Sequence, residues 1–218
     1  MTQVIDTRSG SDIPARIVLA TRNAHKLVEL RRILLDAGLD VDLVGTDAFP
    51  DLPEIAETES TFAGNALLKA RVTAQHTGLP AVADDSGLCV DALNGMPGVL
   101  SARWSGRGAT DASNLQLVLD QMADVPDDRR TANFTCAAAM VVPAPDGDIE
   151  REFVVEGIVE GMLLRAPLGA NGFGYDPVFV PQGFTETTAQ MSAEQKDAIS
   201  HRGIALRALV EVLIGSRG

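Results

Sequence analysis

The apolar run Ile17-Val18-Leu19-Ala20 breaks into the polar turn Thr21-Arg22-Asn23-Ala24-His25-Lys26, after which Leu27, Leu30, Ile33, Leu34 and Ala37 recur at helical spacing. The pattern predicts a strand that hands over to a helix N-terminus at this turn. Val41-Asp42-Leu43-Val44 alternates like a second strand, and the Pro50 to Pro53 region reads as a loop. Thr61 to His76 predicts a helix with Phe62, Ala66, Leu67, Ala70 and Ala74 inward, closed by Gly78 and Pro80. Ala81-Val82-Ala83 predicts a short strand that ends in Asp84-Asp85-Ser86-Gly87, with Leu88 to Val90 resuming afterwards. A Gly/Pro-rich loop from Asn94 to Gly108 and a helix from about Asp111 to Met122 come next. Thr131 to Val142 and Ile149 to Glu160 then read as a hairpin around Pro143 to Asp148. A Gly-rich turn (Gly169 to Gly174), a short strand (Pro177 to Val180) and a helix from about Gly203 to Ile214 complete the pattern.

Strand, helix, strand, helix and strand in succession imply parallel pairing, whereas the hairpin demands an antiparallel part. The expected fold class is therefore α/β: a mixed central sheet flanked by helices, with a crevice between two lobes. Residues 1–15 hold no long apolar core and read as a frayed tail, leaving 16–218 as one domain. No run of apolar residues is long enough to span a membrane.

Composition narrows the partners. Thirty Asp and Glu against 18 Lys and Arg give a net charge of −12, a field that repels nucleic acid and anionic membranes but leaves room for a small anion in a local basic pocket. Aromatics make up only 4% of the chain, so each one outside a periodic run merits inspection. Cys89 and Cys136 lie in apolar strand contexts without C-x-x-C spacing, which reads as two free thiols in a reducing, cytoplasmic compartment.

The junction at Thr21 to Lys26 suits a phosphate, because first-turn N–H groups and the positive end of the helix dipole point to one spot and Lys26 adds a charge. Asn23 as a plain N-cap and Lys26 as a solvated residue fit the same letters, and the glycines of a P-loop are absent. Asp84 and Asp85, being adjacent in extended chain, face opposite ways. With Glu54 in Leu52-Pro53-Glu54, an aspartate offers the carboxylates that a hard cation such as Mg²⁺ takes alongside phosphate oxygens, although Asp and Glu in loops also serve as turn-formers and caps. Lys69 follows Asn65 by four and is expected to share a face with it, away from the apolar stripe, as a candidate phosphate ligand. Gly172-Phe173-Gly174-Tyr175-Asp176-Pro177 sets two of the scarce aromatics between glycines, where a planar base could stack and Asp176 accept from it, or where the rings simply tuck onto the core. Lys196 and Ser200-His201-Arg202 gather cations and an imidazole before the last helix. Ser192 with Gln195 there looks like a capping box, and Ser200 is a candidate cap for the final helix.

In this order and at these spacings, Thr21-x-Asn23-x-x-Lys26, Leu52-Pro53-Glu54, Glu57 with Thr61-Phe62-x-x-Asn65-Ala66-x-x-Lys69-Ala70, Ala83-Asp84-Asp85-Ser86-Gly87-Leu88, Gly172 to Pro177 and Ser200-His201-Arg202 closely resemble the non-canonical purine nucleoside triphosphate pyrophosphatases, the inosine/xanthosine triphosphate pyrophosphatase family. The resemblance runs from about Ile17 to Leu213. It implies a homodimer, and hydrolysis of (d)ITP and (d)XTP to the monophosphate and pyrophosphate with Mg²⁺. By matched position, Thr21, Arg22, Asn23, Ala24, His25, Lys26, Asn65, Lys69 and Lys196 would hold the triphosphate. Glu54 and Asp85 would handle metal and water, with either Asp85 or Asp84 as base, and Lys26 and Lys69 would steady the leaving charge. Ser86, Phe173, Gly174, Tyr175, Asp176, His201 and Arg202 would contact the nucleoside or phosphates. Two rivals remain: a septum-inhibitor-type pyrophosphatase acting on modified pyrimidine or methylated guanine nucleotides, and a nucleotide sensor without turnover.

Overall fold

In the structure, a computed structural model that describes residues 3–5 and 13–215, β2 (Arg16–Leu19) leads into α1 (Ala24–Asp36), and β3 (Asp42–Gly45) follows. β2 pairs in parallel with both β3 and β4 (Ala81–Val90). A parallel strand between two neighbours buries both faces, which is why Ile17, Val18 and Leu19 form a continuous apolar run rather than an alternating one. Leu30, Ile33 and Leu34 of α1 are buried as the periodicity requires.

α2 (Phe62–Thr77) begins where the Thr61 hydroxyl accepts from the Gly64 amide at 3.0 Å and ends at Gly78, whose φ of 66° places it in the left-handed region. Its buried residues are Phe62, Asn65, Ala66, Ala70, Thr73 and Ala74, while Leu67 is only half-buried. Phe62, Ala66, Ala70 and Ala74 are inward as expected, and Asn65 and Thr73 join them in place of Leu67. Asn65 belongs inside because its side chain finds two partners there: it donates to Asp85 Oδ2 and accepts from the Glu59 amide, both at 3.0 Å.

β4 is one unbroken strand, so Asp84 and Asp85 do not stand at a strand end but in its middle. The strand tolerates them because each carboxylate is met by cations or an amide. At Gly87 an added Cβ would overlap the Ser101 hydroxyl and lie 2.5 Å from the Gly98 carbonyl. Gly87→Ala is expected to lower stability by about 1–3 kcal/mol, read as a shifted urea midpoint at constant slope; an unchanged midpoint would mean that the Gly98–Ser101 segment yields freely.

The remaining elements are β1 (Gln3–Ile5), β5 (Met96–Pro97), α3 (Asp111–Gln121), β6 (Thr131–Pro143), β7 (Ile149–Leu163), β8 (Phe179–Pro181), α4 (Ala193–Ile199) and α5 (His201–Gly215). The sheet runs β1-β7-β6-β4-β2-β3, with β5 added on β4 and β8 on β7. β6 and β7 are neighbours joined only by residues 144–148, the expected hairpin. With β2 parallel to its neighbours and β1, β5 and β8 antiparallel to theirs, the sheet is mixed, as the sequence pattern implies.

Several boundaries differ from the sequence pattern. Gln3–Ile5 pair with β7 where a frayed tail is expected, and residues 1–2 and 6–12 lie outside the described residues. The Asn94 to Gly108 loop contains β5 and a 3-10 turn over Gly98–Arg103. Pro177 sits in a 3-10 turn, Asp176–Val178, so the following strand begins only at Phe179. α4 is an extra helix, started by the Ser192–Gln195 capping box. Ser200 is the extended C-cap of α4, and α5 starts directly after it.

The chain divides into two compact units. Unit 1 comprises the chain up to Asp85, Cys136–Gly157 and everything from Arg202. Its core joins Ile17 and Leu19, Leu30 and Leu34 of α1, Met140, Phe153, and Leu206 and Leu209 of α5. Unit 2 comprises Ser86–Thr135 and Ile158–His201, around Leu88, Val118, Met122, Tyr175 and Phe179. Within unit 2 the buried Arg130 guanidinium donates to the carbonyls of Met122, Leu163 and Leu164, the first of which closes α3. Among the described residues no helix is long and apolar enough to cross a membrane.

Candidate functional site

Strand alternation in β4 sends the two aspartates of unit 1 to different partners. Asp84 Oδ2 accepts from Lys26 Nζ of α1 at 2.7 Å and from Arg202 Nε of α5 at 3.1 Å. Burial alone would raise its pKa, but the two cations prevail and hold the carboxyl well below the usual range. Asp85 accepts from Asn65 Nδ2 at 3.0 Å and from Lys69 Nζ at 3.3 Å, and Lys69 also donates to Glu57 Oε1 at 2.9 Å. Here burial, helped by the Glu57 charge, outweighs Lys69 and Asn65 and pushes the Asp85 carboxyl upward. Lys69 is itself pulled down by burial, yet Asp85 and Glu57 more than compensate, so it stays a firm cation. The result is one carboxylate locked as an anion and a neighbour with a heightened appetite for a proton.

Beside this cluster, Thr21, Arg22, Thr46, Glu54, Lys69 and Thr73 line a cavity of about 260 Å³. The strand-to-helix junction, the Leu52-Pro53-Glu54 loop and α2 therefore face one space. Asn23 does act as an N-cap: its Oδ1 accepts from the His25 amide at 2.9 Å, and Thr21 Oγ1 accepts from the Asn23 amide at 3.1 Å. The turn thus spends part of its own donor capacity, and the lysines carry more of the positive charge than the expected amide cradle would. His25 is exposed, and Ala24 opens α1. The carboxylate that joins Asp85 on the Lys69 ammonium is Glu57, not Glu54. Among the described residues no three His, Cys, Asp or Glu side chains gather as a cation cage.

In unit 2 the Gly172 to Asp176 segment is held from several sides. Asp176, 3% exposed, accepts from the Phe173 amide and from Thr188 Oγ1, each at 2.8 Å, and forms an ion pair with Lys196. The Gly174 amide donates to Asp111 Oδ2 at 2.9 Å. Phe173 stands out, 67% exposed, with the Lys196 ammonium 4.7 Å from its ring centre. Tyr175 takes the second of the two parts open to its motif: it is buried, and its hydroxyl donates to the Ser101 carbonyl at 2.8 Å, so it anchors the turn to the core. His201 stacks on Phe134, 5.0 Å between centres at 12°, and Phe134 meets Phe179 edge-on. Lys196 thus sits with Asp176 and Phe173 in unit 2, while Lys26, Lys69 and Arg202 belong to unit 1. Ser86 follows Asp85 on β4, half-buried.

Sequence reasoning left Phe134 and Thr188 out and gave Glu57 no role. Phe134 hides in the alternation of β6, and Thr188 in an irregular stretch with no period. For Glu57 the only signal is its place in the spaced motif.

A mixed sheet flanked by helices, with a cluster of acids and lysines beside a cavity of about 260 Å³, defines an α/β protein with a charged pocket. The chain belongs to the Ham1 family, which matches residues 17–212. A dITP/XTP pyrophosphatase of Streptomyces coelicolor is 60% identical over 198 residues, covering 91% of this chain and 96% of that protein. The structure of a HAM1 protein from Coxiella burnetii superposes with a TM-score of 0.82 at 42% identity, covering 92% of this chain and 98% of that one. The crystal structure of a nucleoside-triphosphatase / dITP/XTP pyrophosphatase from Mycobacterium abscessus gives 0.74 at 53% identity, over 89% and 98%. The family resemblance and the mixed α/β sheet expected from the sequence both stand.

Proposed function

We propose that this chain hydrolyses inosine- and xanthosine-type triphosphates, dITP/ITP and dXTP/XTP, to the nucleoside monophosphate and pyrophosphate, removing them from the nucleotide pool. The observation that carries the reading is the Lys69–Asp85 pair with its raised carboxyl affinity for protons, in a chain whose curated relatives named dITP/XTP pyrophosphatase match it over nine-tenths of their length.

In this reading Asp85 accepts the proton of a water attacking the α-phosphorus, a task suited to a carboxylate whose pKa lies above the ordinary value. The bond from that phosphorus to the bridging oxygen breaks, and the charge gathering on the departing pyrophosphate is met by Lys26 and Lys69, which are already in place. Thr21, Arg22, Asn23, His25 and Asn65 shape the phosphate end. Asp84 keeps Lys26 and Arg202 in position. By the family resemblance Phe173, Asp176 and His201 contact the nucleoside, and Lys196 helps hold the triphosphate. Arg202, His201 or a backbone amide donates to the carbonyl at position 6 of hypoxanthine or xanthine, a donor that adenine would leave unpaired.

The donor set suits Mg²⁺. Two carboxylates, Glu57 and Asp85, share one ammonium, a surplus of negative charge built from hard oxygens, with Glu54 on the adjoining cavity. Bound there with substrate, the ion would neutralise phosphate oxygens. The same reading takes the chain as a cytoplasmic homodimer that binds neither nucleic acid nor membrane. The net charge of −12 and two free thiols fit that setting.

With Mg²⁺ the protein is expected to release pyrophosphate from dITP and XTP, and to act at least ~10²-fold more slowly on dATP, whose amino group strands the buried donors. Coupled pyrophosphate and orthophosphate assays check this. Orthophosphate as first product, or a preference for a pyrimidine nucleotide, would overturn the reading, and tight binding without turnover would make the chain a sensor.

A further inference from the structure

The family resemblance counts Asn65 among the groups that hold the triphosphate, but the structure puts this side chain out of a nucleotide's reach, at 0% exposure. Its two hydrogen bonds show another use. The Glu59 amide can only donate, so the Asn65 atom that faces it at 3.0 Å is the oxygen Oδ1, and the nitrogen Nδ2 is thereby turned to Asp85 Oδ2, also at 3.0 Å. One backbone N–H fixes the sense of the amide, and the amide in turn grips one oxygen of the carboxylate. The other, Oδ1, accepts a longer bond from Lys69, at 3.3 Å.

The anchor behind this chain of contacts is firm. The Glu59 segment lies tight against the start of α2, where a Cβ added at Gly64 would stand only 2.7 Å from Glu59 Cβ. An amide buried in this way, its oxygen on one segment and its nitrogen on another, loses both bonds if it turns over, and a buried polar group without partners is costly.

We propose that Asn65 is a positioning residue: it holds the Asp85 carboxylate in one orientation, with Oδ2 engaged, so that Oδ1 is the oxygen presented to the attacking water. Oδ1 takes the proton of that water, while Oδ2 goes on accepting from Asn65. Asn65 thus serves the phosphate end from behind Asp85 and touches no part of the nucleotide. This role rests on the general-base function proposed above for Asp85.

Asn65→Leu removes both bonds at similar volume, and Asn65→Ala removes them without any risk of a clash. In the full-length enzyme with Mg²⁺ and dITP, each is expected to lower kcat about 10- to 100-fold, the scale for misplacing a reacting group by about an ångström, with KM within about 2-fold of the wild-type value. A ligand of the triphosphate would instead raise KM. Joined to Asp85→Asn, the leucine substitution should cost nothing beyond Asp85→Asn alone, because Asn65 acts through that carboxylate. Crystal structures of both single variants should show the Asp85 carboxyl turned from its wild-type orientation. A raised KM at unchanged kcat, additive losses in the double variant or an unmoved Asp85 carboxyl overturns the proposal. Failure of both variants to fold overturns it too, since Asn65 would then be purely structural. If the wild type turns over neither dITP nor XTP, the proposed function fails instead, and the orientation of Asp85 in the variants still decides whether Asn65 positions it.

Discussion

Asp85→Asn is expected to abolish turnover of dITP, by at least ~10²-fold and up to ~10⁴-fold, the range for losing a general base, while the protein stays folded. The second half follows from the direction of the pKa shift. Burial and Glu57 raise the Asp85 carboxyl above its ordinary 3.8, so its neutral form is the one the fold favours. Any stability tied to Asp85 is present below the unfolded value and is lost as pH rises through the folded one. An amide resembles the neutral acid, keeps an oxygen that can accept from Asn65 or Lys69, and removes the penalty of the buried charge. Melting temperature should therefore hold or rise as activity disappears. A variant that turns over dITP at near the wild-type rate would take Asp85 out of the mechanism, and one that unfolds would make the residue structural.

Asp84→Ala should do the reverse and strike the fold first. Asp84 is the shared anion of Lys26 and Arg202; its side chain is 5% exposed, and theirs 23% and 17%. Removing it leaves two poorly hydrated cations facing each other, a loss of about 3–5 kcal/mol for a broken buried pair. For a chain of this size that means a fall in melting temperature of about 6–20 °C. Because the folded pKa of Asp84 is depressed below 3.8, its contribution is complete above that value and is lost as pH falls toward the folded one. The gap between wild type and variant should accordingly narrow in strong acid. Calorimetry at neutral pH that finds a difference under about 1 kcal/mol would place the pair among ordinary surface ion pairs.

Much of this arrangement is legible in the letters, and particular residues show why. The run Ile17 to Ala20 and the period from Leu27 to Ala37 announce β2 and α1 because burial on both faces and on one stripe leave different periods. The opposed faces of Asp84 and Asp85 follow from extended geometry alone, and their partners bear it out. The unbroken course of β4 does not, since two acids and a glycine in a row look like a turn until the cations that meet them are known. Asn65 is misplaced for a related reason: periodicity assigns polar side chains outward and cannot see that Asp85 and the Glu59 amide await it inside. Tyr175 and Phe173 are alike in sequence, yet only Tyr175 is buried, its ring in the core of unit 2 and its hydroxyl on the Ser101 carbonyl. Glu57 is chosen over Glu54 as the partner of Lys69 by the path of an irregular loop, which carries no period to read.

The alternation of β4 also sets an order in which the molecule takes up protons. Two neighbouring acids on one strand have been drawn apart in opposite directions, one by burial beside another carboxylate, the other by two cations. On acidification Asp85 is neutralised first, and Asp84 surrenders its charge only much later. Chemistry that depends on Asp85 is thus expected to stop at a pH where the carboxylate between α1 and α5 still holds its two cations.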